Sequence, residues 1–143
     1  MIWVLVRFIH ILGATLWVGG QLTLSFVVLP IARRRLAPAT QADVVAPIGR
    51  RFALATMTVM LPLQIATGIA LAAHHGLTWT GLAEPGYGRT LSAKLGLVVI
   101  AMAASGVHGV LSAKGRRTAA RAAVATGLVC STGIVLLAAA LAT

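Results

Sequence analysis

A few nitrogen- and sulfur-bearing side chains set in otherwise apolar sequence carry whatever chemistry this chain has. The histidines are His10, His74, His75 and His108. Imidazole binds copper or zinc, and thioether sulfur favours cuprous ion. His10, His74 and His75, with Met57 and Met60 deeper, therefore form a candidate copper route. A membrane-buried imidazole is also a candidate axial ligand for haem, with arginine and lysine, here Arg7 and Lys94, neutralising the propionates. Each residue has a plainer alternative. Arg7 and Lys94 can snorkel to the interface, the histidines can hydrogen-bond neighbouring helices, and the methionines can simply pack. His108 is expected to be such a hydrogen-bonded packing residue. Asp43 and Glu84 are the only acids. The topology argued below puts them on opposite sides of a membrane, which excludes paired-carboxylate catalysis. No catalytic residue emerges, and the residues point away from an enzyme.

The elements that must position these groups follow from composition. Of 143 residues, 59% are hydrophobic and 10% charged, and the mean hydropathy is +0.95. A soluble domain of this size cannot hide that much apolar surface, so the expected class is an all-α integral membrane protein in contact with the lipid bilayer. The length fits one domain, residues 1–143. Four apolar segments, about 2–31, 52–73, 91–112 and 120–142, are long enough to span, and short connections favour an up-down four-helix bundle. The N-terminal run is too long for a signal peptide and reads as a retained helix. Cys130, the single cysteine, lies in an apolar run and reads as a small packing residue.

The net charge of +10 sits in short clusters between the apolar runs. That is a topology signal rather than a nucleic-acid surface. Arg33, Arg34, Arg35, Arg50 and Arg51 lie in the first connection, and Lys114, Arg116, Arg117 and Arg121 in the third. The positive-inside rule makes both connections cytoplasmic and leaves both termini outside. The first connection, rich in alanine and proline, is expected to hold at most a short surface helix. In the second, Trp79 and Tyr87 suit the membrane–water interface, and its glycines and prolines signal turns.

Helical periodicity sorts the polar residues into stripes. On the first helix Trp3, Arg7, His10, Ala14, Trp17 and Gln21 share a side, with Gly13 and Gly20 at its edge. Leu5, Phe8, Ile9, Leu12, Leu16 and Phe26 face lipid. The second helix aligns Met57, Met60, Gln64, Thr67, Gly68, Leu71 and His75; the third presents Lys94, Val98, Ala101, Ser105, His108 and Ser112. The fourth offers small groups for close packing. Given the topology, His10 lies roughly 10–12 Å below the outer end of its helix, and Lys94 roughly one turn below its own. Arg7, His10, His74, His75, Arg89 and Lys94 are then expected in one outer half.

Three blocks resemble the copper-resistance D (CopD) membrane domain: HILGATLWVGG at 10–20, RRFALATMTVMLPLQIATGIAL at 50–71 and YGRTLSAKLGLVV at 87–99. The resemblance implies a bacterial inner (plasma) membrane protein linked to copper uptake or handling, receiving metal from the outer side, with a periplasmic copper donor as a partner. Such domains often occur with further helices or a periplasmic copper-binding module, which this sequence lacks. A looser resemblance, carried by His10, Trp17 seven residues later and Lys94, is to HemJ-type protoporphyrinogen oxidases. It implies a haem b-binding membrane oxidoreductase, with His10 as axial ligand and Lys94 as functional partner. A third reading, from the small-residue faces of helices three and four, is a non-catalytic membrane subunit with a homodimer or partner subunit.

Overall fold

The computed structural model describes residues 1–141. Four helices are long and apolar enough to cross a membrane: α1 (Ile2–Arg35), α2 (Pro38–His74), α3 (Tyr87–Ala113) and α4 (Arg117–Ala140). No strand occurs among the described residues. The chain is thus the all-α, multi-pass membrane protein that its hydropathy predicts. It divides into two compact units, one running from Met1 to Gly76 and the other starting at Leu77.

In the first unit α1 and α2 form an antiparallel hairpin whose turn is only Leu36 and Ala37, both extended. The expected loop between residues 32 and 51 is helical almost throughout. Arginines end a membrane crossing without ending a helix, because charge is costly in hydrocarbon but compatible with the backbone ladder. Pro38 starts α2 at a position where its missing N–H costs nothing. At 1.5 Å per residue both helices are about 50 Å long, well beyond a hydrocarbon core of about 30 Å. The hairpin tip carrying Arg33, Arg34 and Arg35 therefore projects past it.

Each helix of this hairpin contains one π-helical turn, Leu24–Val28 in α1 and Thr56–Met60 in α2. Each ends two residues before a proline, Pro30 or Pro62. Proline cannot donate to the ladder, and its ring clashes with the carbonyl four residues back; a widened turn relieves that clash. Leu5, Phe8, Leu12, Leu16 and Phe26 are exposed on α1, as a lipid-facing side requires.

The second unit opens with a short 3₁₀ turn, Thr80–Ala83. Ser92 donates to the Leu82 carbonyl at 2.9 Å, tying that turn to α3. Gly86, at φ 91°, precedes the helix, and a side chain on buried Gly88 would collide with the Gly81 carbonyl. α3 begins at Tyr87, four residues before the expected start, so Arg89 lies in its first turn and Lys94 two turns in. α3 and α4 are antiparallel: Ala104 lies against Gly127, and Leu97 against Gly133. Their turn is a Schellman cap, with Gly115 at φ 68° donating to Ser112 O and Arg116 to Leu111 O. Ala120, Gly127, Cys130, Ser131 and Ile134 are buried on α4, the small-residue face that close helix approach needs. The fourth helix starts at Arg117 rather than 120 and ends at Ala140, and the expected end at Ala142 lies outside the described residues.

Candidate functional site

His10 of α1 is hydrogen-bonded to α2 in the first hairpin. Its Nδ1 lies 2.8 Å from Thr67 Oγ1 on α2. Thr67, buried, also contacts its own helix, 2.6 Å from the Leu63 carbonyl and 3.4 Å from that of Gln64. One turn earlier on α2, the Gln64 amide donates to the His10 carbonyl at 2.7 Å. Two glycines make room for this exchange. A side chain on Gly13 would collide with the Gln64 amide nitrogen. A Cβ on Gly68 would stand 3.3 Å from His10 Cε1. The interlock is His10 and Gly13 on one helix, with Gln64, Thr67 and Gly68 on the other.

His74 and His75 sit about 10 Å further along the hairpin, since Thr67 to His74 is seven residues. α2 ends there: His75 is its cap, and Gly76 at φ 69° turns the chain away. Adjacent histidines diverge on a continuing helix, but this end brings the two rings to 5.9 Å between centroids, tilted by 56°. The His74 ring also lies flat on Trp3, with centroids 3.9 Å apart. Both histidines are exposed.

Met60 lies seven residues beyond Thr67 in the opposite direction, again about 10 Å along the axis. It is half-buried, and its sulfur accepts from Thr56 Oγ1 at 4.0 Å. Met57, expected on the same stripe, is exposed, because both residues fall in the π turn, where the usual 3.6-residue spacing no longer aligns neighbours. Arg7 is exposed.

In the second hairpin Lys94 is half-buried. His108 Nδ1 lies 3.1 Å from the Ala120 carbonyl, which makes it the hydrogen-bonded packing histidine expected from sequence. Among the described residues, no three histidine, cysteine, aspartate or glutamate side chains gather into a metal cluster. The candidate donors of the first hairpin are therefore arranged in series. Thr67 and Gln64 are what residue-by-residue reading misses: both fall on the polar stripe of α2, but nothing there names His10 as their partner.

Over 107 residues the chain is 31% identical to an "Uncharacterized protein" of Aquifex aeolicus (strain VF5), covering 75% of this chain and 68% of that one. No family model and no solved structure matches it.

Proposed function

We propose, for a chain that belongs to the same family as the uncharacterized Aquifex aeolicus (strain VF5) protein, that it transports or handles copper in a bacterial inner membrane. The observation that carries this reading is the series of soft and borderline donors along one hairpin. The exposed His74–His75 pair comes first, then His10 about 10 Å further on, then Met60 about 10 Å beyond. Cuprous ion accepts few ligands and prefers imidazole and thioether. Spaced weak sites also suit movement better than one closed cage, because an ion must leave each site as well as enter it. The resemblance of the blocks at 10–20, 50–71 and 87–99 to the CopD domain supports the same reading. With the arginine-rich turns on the cytoplasmic side, the histidine end faces outward and takes metal from a periplasmic donor.

The test is copper accumulation in cells producing wild type, His10→Ala or the double variant His74→Ala/His75→Ala at equal membrane levels. Both variants should lower copper-dependent accumulation or sensitivity. Unchanged accumulation in both would remove the copper reading.

One observation favours a second reading. Among the described residues His10 is one oriented imidazole outside any three-residue ligand cluster, as an axial haem ligand is. Purified protein with a Soret band that His10→Ala abolishes would establish haem b. Colourless protein holding neither haem nor copper would leave the role of a non-catalytic membrane subunit.

A further inference from the structure

The contacts of Thr67 fix where the proton sits on His10. A hydroxyl carries one proton, and a backbone carbonyl can only accept. The 2.6 Å separation between Thr67 Oγ1 and Leu63 O therefore requires the threonine proton to lie toward Leu63. The 2.8 Å contact with His10 Nδ1 then needs its proton from the imidazole. The chain of donation runs His10 Nδ1–H to Thr67 Oγ1–H to Leu63 O. In a neutral imidazole with Nδ1 protonated, the lone pair belongs to Nε2.

We infer that Thr67 is a positioning residue that holds His10 in the Nδ1–H tautomer and so presents Nε2 as the ligating atom. The inference rests on the reading of His10 as a ligand and adds which nitrogen ligates and what selects it. Metal-bound histidines usually donate their second ring nitrogen to a fixed acceptor, which sets ring orientation and raises ligand basicity. Here that acceptor is a threonine on the facing helix, itself locked by its own carbonyl. The rest of the interlock serves the same end. Gln64 pins the α1 backbone at His10, and Gly68 lets the ring lie flat enough against α2 for Nδ1 to reach Thr67.

The experiment uses the full chain in detergent, labelled with ¹⁵N-histidine and free of metal, with His10 assigned by difference from His10→Ala. Wild type should show Nδ1 protonated and Nε2 unprotonated at His10. Thr67→Val keeps the shape but cannot accept, and should abolish that preference; Thr67→Ser should restore it. Cuprous ion, titrated against a competing chelator, should bind Thr67→Val roughly 10–100-fold more weakly than wild type, with Thr67→Ser again recovering. A protonated Nε2 in wild type, or a tautomer unchanged in Thr67→Val, overturns the inference. So does equal cuprous affinity in wild type and Thr67→Val. The stated tautomer in a protein that binds no cuprous ion supports the positioning role and sinks the copper reading instead.

Discussion

The Trp3 indole lies flat on the His74 imidazole, ring centroids 3.9 Å apart and planes within 9° of parallel. The contact joins the first turn of α1 to the last residue of α2, closing the open end of the first hairpin. His74 also touches the ring of His75, so one imidazole serves both an aromatic stack and a histidine pair. An ion bound to His74 is held beside the Trp3 indole, and any turn of the ring to ligate it shifts that stack. Cuprous ion, or silver ion as a redox-inert substitute, should therefore change Trp3 emission. His74→Ala should abolish the change, and Trp79→Phe, which removes an indole exposed in the second unit, should leave it. Emission that shifts equally in His74→Ala would exclude the stack as the reporter.

The glycines differ sharply in what a methyl group would meet. At Gly88 it would strike the Gly81 carbonyl, which is backbone and cannot swing aside. Gly88→Ala should cost about 1–3 kcal/mol, as overpacking does. Gly96 and Gly106 lie inside α3 with open space around the added carbon. Alanine there should stabilise by up to about 1 kcal/mol through helix propensity. Gly13 falls between, because Gln64 can withdraw its amide at the cost of the bond to His10 O. Reversible unfolding in mixed micelles checks the order; a Gly88→Ala variant as stable as wild type would refute it.

The charge clusters make a prediction about sidedness. Cys130 is buried and is the only native thiol, so Cys130→Ala gives a clean background. In intact cells, a membrane-impermeant maleimide should label Ala83→Cys, in the turn before α3. Ala37→Cys and Lys114→Cys should label only after the membrane is opened, since the arginine-rich turns belong inside. The opposite pattern would invert the proposed direction of copper entry.

Hydropathy and charge make the four crossings legible because both report on hydrocarbon, a solvent that punishes every polar mistake. They do not report where a backbone ladder stops, so the arginine-rich segments on either side of Ala37 read as loop and fold as helix. Stripe analysis places Gln64, Thr67 and Gly68 on one face correctly, since spacings of three and four hold there. It misplaces Met57, because Pro62 imposes a π turn whose extent no ordinary helical periodicity reveals. The pairing of Thr67 with His10 is a matter of register between two helices. That register is set where Gly13 admits Gln64 and Gly68 admits the imidazole, a reciprocal fit that neither helix shows alone.

His10 and His108 should therefore part company on substitution. His108 donates to the Ala120 carbonyl and makes the turn end of the second hairpin cohere. Its removal costs one interhelical hydrogen bond, about 0.6 kcal/mol on average and up to about 1.7 in membrane helices. His10→Ala loses a bond of the same kind, and on the copper reading it also removes the middle donor of the series. Both variants should lower unfolding stability by comparable amounts in micelles. Only His10→Ala should weaken cuprous binding, with His108→Ala staying at the wild-type affinity. Equal losses of affinity would mean that binding follows general stability and that no donor at position 10 is involved. A loss confined to His108→Ala would move the site to the second hairpin.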